Sequence, residues 1–178
     1  MKIISTKIKG LMIIKQDSFN DKRGFLRITH NEMIFKKKKF VFEYCTNSKK
    51  NALRGFHFQH KFLQAKYVNV IKGKILDCVI DLRKKSKTFG KLFKVLLSEK
   101  NKKSIFIPKG FAHGYLSLEK SNLVYFKNSN YRDKDQERGI LWNDIDLNIK
   151  WPYTNPIISK KDKLNITLKE FVKRHKYL

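Results

Sequence analysis

The chain has 178 residues, with 41 Lys+Arg against 15 Asp+Glu for a formal charge of +26, and 41% of its residues are hydrophobic. That length and apolar content exclude disorder and predict one compact domain over residues 1–178 with a real core. The charge invites a polyanion as partner, but 34 Lys outnumber 7 Arg, and readers of phosphates and base edges lean on the planar fork of Arg. With 18 Ile and 13 Asn but only 3 Ala, the composition leans toward A/T-rich codons, so much of the Lys excess is compositional. No nucleic acid is expected as a partner.

In chain order, the opening MKIISTKIKGLMIIK is broken by Lys every few residues. It holds no apolar run long enough for a signal peptide or a span, which predicts a cytoplasmic chain with no membrane attachment. Lys36–Lys39 is the one low-complexity run. Strand-like segments follow, apolar-alternating or rich in β-branched and aromatic residues: KFVFEYC from Lys39, KYVNVIKGKILDCVIDLR from Lys66, GKLFKVLLSE from Gly90, KSIFIPKG from Lys103 and SNLVYFKN from Ser121. Gly73 is expected to turn VIKGKILD as a hairpin. Pro108 and Gly110 set a turn that opens into a strand carrying His113. Only Leu168 to His175 has convincing helical character. Short strands at this spacing suggest a sandwich or barrel, with Val41, Tyr67, Val68, Val70, Ile75, Val79, Ile105, Ile107, Leu123 and Val124 as core candidates. Cys45 and Cys78 stand at no metal-ligand spacing and fit a reducing compartment.

Two histidines sit in unusual company. His57 lies in LRGFHFQ, where an extended backbone puts His57 and Gln59 on one face. His113 lies in IPKGFAHGY. Arg54, His57, Lys66, His113, Tyr125, Tyr131 and Asp162 are scattered along the chain as a barrel lining would be. A three-His metal site from His57, His60 and His113 is not expected. His57 and His60 are three apart and point to opposite faces of a continuous strand, and the HxH-then-Glu pattern of metal cupins is missing.

Seven ordered motifs then resemble one family. FNDKRGF at Phe19–Phe25, LRGFHFQ at Leu53–Gln59, QAKYVNVIKGKILDCVIDLRKKSKTFGK at Gln64–Lys91, IPKGFAHGYLSLEK at Ile107–Lys120, VYFKNSNY at Val124–Tyr131, ERGILWNDIDLNIKWP at Glu137–Pro152 and SKKD at Ser159–Asp162 are similar to the dTDP-4-dehydrorhamnose 3,5-epimerases. The resemblance implies an all-β, cupin-type jelly roll, here with a short C-terminal helix. It also implies a homodimer with an exchanged N-terminal strand and epimerisation of a nucleotide-linked 4-keto-6-deoxyhexose without metal or other cofactor.

Such chemistry needs a base on one face of the sugar, an acid on the other and a cation at the ketone oxygen. The resemblance makes His57 the base, in keeping with an ordinary imidazole pKa of roughly 6.5. It makes Asp162 the carboxylate that orients His57, Lys66 the enolate-stabilising charge, and Tyr125 the acid, a phenol protonated at neutral pH. For the substrate, the resemblance implies contacts from Arg54 to diphosphate or sugar, from Gln59 and His113 in the sugar pocket, and from Tyr131 as the aromatic that shapes it. Arg23 and Phe25 match on the nucleotide side. A single-carbon epimerase or a 3,4-ketoisomerase on a related nucleotide keto-sugar is the alternative.

The chain departs from the family pattern in three places. Leu26 and Ile28 replace the second aromatic and the acid after the DxRG motif, Phe42, Glu43 and Tyr44 stand where QDN is usual, and the loop from Gln59 to Gln64 is one residue short.

Overall fold

The computed structural model describes residues 1–35 and 38–175, so Lys36 and Lys37 of the lysine run lie outside the described residues. In chain order the strands are β1 (Lys2–Ser5), β2 (Met12–Lys15), β3 (Ser18–Asp21), β4 (Gly24–Arg27), β5 (Phe42–Lys49), β6 (Leu53–Gln59) and β7 (Lys66–Lys72). They continue as β8 (Lys74–Asp81), β9 (Leu92–Ser98), β10 (Lys103–Ile107), β11 (Phe111–Ser117), β12 (Ser121–Asn128) and β13 (Glu137–Gly139). Three short helices complete the chain, α1 (Glu32–Phe35), α2 (Lys160–Lys163) and α3 (Leu168–His175), the last matching the helix expected from the sequence. No helix among the described residues is long and apolar enough to cross a membrane.

Two sheets face each other. One has six strands in the order β1-β2-β10-β7-β12-β5, the other five in the order β13-β6-β11-β8-β9, and β3 pairs with β4 as a separate hairpin. All the ladders in these sheets are antiparallel. This is the double-sheet roll expected from the strand pattern.

The alternation of side chains decides what each sheet buries. Val68 and Val70 of β7, Ile75 and Val79 of β8, Ile105 and Ile107 of β10, Tyr115 of β11, and Val124 and Phe126 of β12 fill the space between the sheets. The residues between them face outward. Cys78 and Ile80 pack with Phe56, Phe58, Ile140 and Phe171 of α3 over the outer face of the five-stranded sheet. Tyr67 joins Ile14, Phe35 and Phe106 beneath α1 on the outer face of the six-stranded one. Eight of the ten expected core residues are buried; Val41 is 46% exposed and Leu123 half-buried.

One local expectation is corrected. Lys66–Lys72 and Lys74–Asp81 do not pair as a hairpin: β7 pairs with β10 and β12, and β8 with β11 and β9. Gly73, at φ +85, is the corner where the chain passes from one sheet to the other, and a Cβ there would lie 2.4 Å from the Ser121 carbonyl oxygen. Both segments have the alternation and the glycine that a hairpin needs, so local sequence does not distinguish a turn within a sheet from a corner between sheets.

Candidate active site

One end of the roll opens as a cavity of about 430 Å³, within the usual size of a small-molecule site. Its wall includes Arg54, His57 and Gln59 from β6, Lys66 from β7 and His113 from β11. These are five of the ten residues expected at the site, and the topology alone brings them together. Asp162 adds itself through His57.

The His57 Nε2 atom lies 2.6 Å from Asp162 Oδ1, and the His57 side chain is 29% exposed against 5% for that of Asp162. Asp162 is offered by α2. The Ser159 hydroxyl caps that helix by accepting a hydrogen bond from the Asp162 N–H. The Gly55 N–H donates to Asp162 Oδ2 at 3.3 Å. Burial pushes the Asp162 carboxyl up, but the bonds from His57, Gly55 and Ser159 hold it below its ordinary value of 3.8. The carboxylate therefore stays ionised and fixes the His57 ring, leaving Nδ1 as the nitrogen without a protein partner among the described residues.

Arg54 and His57 share a face although they are three apart. On β11, Tyr115 pairs with Arg54 and His113 with His57, so β6 carries one extra residue between them, a bulge. Gly55 makes this possible. At φ +120, a Cβ there would meet Gly114 Cα at 2.5 Å and the His113 carbonyl at 2.7 Å. The close approach of two glycine-bearing strands thus aims His57, Arg54 and His113 into one space.

Lys66 is 8% exposed, the only lysine buried among the described residues. Burial lowers its ammonium to about 8, against the opposing influence of Glu137 and Asp77 and with that of Arg132. His113 Nε2 lies 2.8 Å from Asp77 Oδ2 in a second, fully buried His–Asp pair. Arg132 and Lys161 both reach Glu137, at 2.6 and 2.7 Å. Burial raises the Glu137 carboxyl, and those bonds override it to leave the group at about 2. Among the cavity residues, Arg54, Lys66 and Arg132 stand against Glu137 alone, so the site has a positive field suited to an anionic ligand.

Four expected residues, Tyr125, Tyr131, Arg23 and Phe25, lie off the cavity wall, and a fifth, Gln59, is on it with its amide engaged elsewhere. Tyr125 is not on the cavity wall. It faces the outer side of β12, donates to the Glu43 carboxylate and lies under Lys127. Strand parity is the reason: Val124 and Phe126 point inward, so Tyr125 points out. Gln59 is in the wall, but its amide is committed, donating to the Phe62 and Tyr131 carbonyls at 3.0 and 3.2 Å and accepting from the Asp133 N–H at 2.5 Å. It holds the loop rather than offering free groups. Tyr131 is 66% exposed, beside Phe42 at a ring separation of 6.3 Å. Arg23 and Phe25 sit on the β3–β4 hairpin, the first bonded to Asp21 and the second 65% exposed, and neither lines the cavity.

The cavity wall also holds residues that sequence reading did not single out for the site, among them Phe126, Tyr115 and the cation–carboxylate pair Arg132–Glu137, with Asp77 buried behind His113. The signal was available for Phe126 and Asp77. They share strand parity with Val124 and Val79, already read as core.

A double-sheet roll whose open end holds a carboxylate-fixed histidine, a buried lysine and a positive lining is a cupin-type scaffold with the groups that a proton-transferring isomerase needs. The comparisons with known proteins agree. Residues 5–170 match the family model described as dTDP-4-dehydrorhamnose 3,5-epimerase, and the chain belongs to that family. The chain is 40% identical to a dTDP-4-dehydrorhamnose 3,5-epimerase of Shigella flexneri, over 91% of this chain and 93% of that protein. It superposes with a TM-score of 0.90 on the same enzyme from Bacillus anthracis solved with TDP and PPi bound, at 36% identity over 94% and 99% of the two chains. A Legionella pneumophila epimerase in complex with dTDP-4-keto-L-rhamnose gives a TM-score of 0.89 at 34% identity, over 94% and 93% of the chains.

Proposed function

We propose that the protein epimerises a dTDP-linked 4-keto-6-deoxyhexose, converting dTDP-4-dehydro-6-deoxyglucose to dTDP-4-dehydrorhamnose for nucleotide-sugar and polysaccharide synthesis. The observation that carries the reading is the His57–Asp162 pair at 2.6 Å on the same cavity as buried Lys66. A ketone at sugar carbon 4 acidifies the C–H bonds at carbons 3 and 5. The free nitrogen of His57 takes that proton, and the C–H electron pair moves into the enolate. Asp162 stabilises the imidazolium so formed, and the Lys66 ammonium faces the oxygen where negative charge develops. Arg54 and Arg132 supply the charge for the diphosphate. His113, held by Asp77, is a fixed polar contact for the sugar.

The N-terminal hairpin supports a homodimer. Phe19, Phe25 and Leu26 are each more than 60% exposed on it, an apolar edge that a second copy would cover. In this reading Arg23 and Phe25 serve the neighbouring site through an exchanged strand, and residues 1–178 form one domain. Two free cysteines, as a reducing compartment keeps them, support a cytoplasmic enzyme.

The test is incubation in heavy water with a panel of dTDP-, CDP-, GDP- and UDP-linked 4-keto sugars, read by NMR at each sugar carbon. Deuterium is expected at carbons 3 and 5 of the dTDP substrate and lost in His57→Ala. Label at one carbon alone assigns a single-carbon epimerase, a displaced ketone assigns a ketoisomerase, and no label in any substrate refutes the reading.

A further inference from the structure

Inversion requires a proton donor across the sugar from His57, and Tyr125, the residue expected to provide it, faces away from the cavity. We propose that Tyr44 is that donor. The inference rests on the epimerase reading above and names a residue that departs from the family pattern.

Three side chains of the cavity wall carry a hydroxyl: Tyr44, Thr46 and Tyr115. Two of them are engaged with each other. The Tyr115 hydroxyl lies 2.7 Å from Thr46 Oγ1 and 3.2 Å from Ser48 Oγ, and that serine accepts from Arg54 Nε at 2.9 Å. The Tyr44 hydroxyl has no hydrogen-bond partner among the described residues, so its proton is free for a ligand.

Its position fits the role. Tyr44 stands on β5 of the six-stranded sheet and His57 on β6 of the five-stranded one, so the two reach the cavity from opposite walls. A sugar between them presents one face to each. The Tyr44 ring is held flat against Phe126, its direct partner across the β5–β12 ladder, with centroids 4.8 Å apart and planes 14° apart, and Phe42 flanks it at 5.5 Å. Tyr44 is 37% exposed, so its side chain lies partly in the cavity wall and partly open to solvent.

The electrostatics suit a donor that is always loaded. Burial raises the phenol to about 12, with Tyr115 and Glu137 adding to the rise, while Arg132 and Arg54 favour the phenolate. In the step itself the Tyr44 O–H bond breaks and its electron pair stays on the phenolate oxygen. The enolate π pair forms the new C–H bond to the departing proton, on the face opposite the one His57 stripped. The carbonyl reforms, the phenolate recovers a proton from solvent, and His57 gives its proton to water, so the cycle closes with no net change in atoms or charge.

Tyr44→Phe removes one oxygen and keeps the ring stack. In heavy water, NMR follows both deuterium entry and inversion at each sugar carbon. Because His57 alone can exchange its proton with solvent and return the label to the same face, Tyr44→Phe is expected to incorporate deuterium within about threefold of the parent rate while inversion falls ~100-fold or more. Inversion within threefold of the parent overturns the proposal, as does loss of inversion in Tyr115→Phe with Tyr44→Phe unaffected. Equal loss of exchange and inversion in Tyr44→Phe also overturns it, since that is the behaviour of a binding residue. If the parent enzyme itself labels none of the keto-sugars, the epimerase reading falls and this assignment falls with it.

Discussion

Replacing Lys66 by Met is expected to destroy turnover and stabilise the fold together. Lys66 is 8% exposed, and burial lowers its ammonium from 10.5 to about 8. Between those two values the unfolded chain holds a proton that the folded chain has released. The unfolded state then binds more protons, so stability rises with pH across that window. Below pH 8 both states are protonated and the folded state bears the whole desolvation cost. At 1.36 kcal/mol per pKa unit, that cost is on the order of 3 kcal/mol.

Met keeps the length and apolar stem of Lys66 and removes the charge. At about 2–4 °C per kcal/mol for a chain of this size, the Tm of Lys66→Met is expected roughly 6–12 °C above the parent at pH 7. The gap should shrink to a few tenths of a kcal/mol by pH 10.5, where the folded lysine is neutral and the unfolded one half-deprotonated, and close above that pH. Turnover in the heavy-water assay should fall ~100- to 1000-fold, the usual loss when a preorganised charge is removed from a developing oxyanion. In the parent, kcat/KM should decline above pH about 8 as Lys66 deprotonates. Calorimetry from pH 6.5 to 10.5 on both proteins checks the first half. A Tm for Lys66→Met at or below the parent at pH 7, or a difference that ignores pH, refutes the reasoning.

Asp162→Asn is expected to slow exchange by ~100- to 10,000-fold, because the amide can bond His57 but cannot stabilise the imidazolium; a rate within threefold of the parent in the same NMR assay would count against the dyad. The parent also gains stability from ionised Asp162 that is lost as pH falls below the ordinary carboxylate value of 3.8, so the acid denaturation of Asp162→Asn should be less steep. Tyr125→Phe should epimerise within threefold of the parent, since its hydroxyl serves Glu43 on the outer face; steady-state kinetics decide this directly. Gly55→Ala forces a Cβ to 2.5 Å from Gly114 Cα at φ +120, and a loss of more than about 2 kcal/mol by urea titration is expected, with exchange activity lost through the displaced His57.

The fold was legible where alternation ran unbroken. Segments from Lys66, Ser121 and Lys103 form strands that bury the expected Val68, Val70, Val124, Ile105 and Ile107. The first four strands, β13 and the four-residue helices α1 and α2 were not legible, being too short to show a period. The α2 helix exists as a capped turn, and its purpose is to present Asp162, which local pattern reads as an ordinary turn residue.

Parity explains the placement of Tyr125, whereas Arg23 and Phe25 lie off the cavity because β3 and β4 form a separate hairpin. A strand exposes every second side chain to one face, so a motif read as a block of residues does not say which of two neighbours faces inward. VYFKNSNY holds Tyr125 and Phe126 side by side, and burial of Val124 between the sheets settles that Phe126 enters the cavity. On β5 the same ladder turns Tyr44 inward opposite Phe126 and Glu43 outward opposite Lys127. Parity fails as a guide only where a bulge adds a residue, and the bulge at Gly55 is what lets Arg54 and His57, three apart, meet one ligand. The charge follows the same logic. With 34 lysines in the chain, composition cannot single one out, but Lys66 shares the inward parity of Val68 and Val70 on β7 and alone among the described lysines is buried. A cation placed where a core residue belongs costs stability, and in the proposed reaction the developing oxyanion is the charge that such a cation would serve.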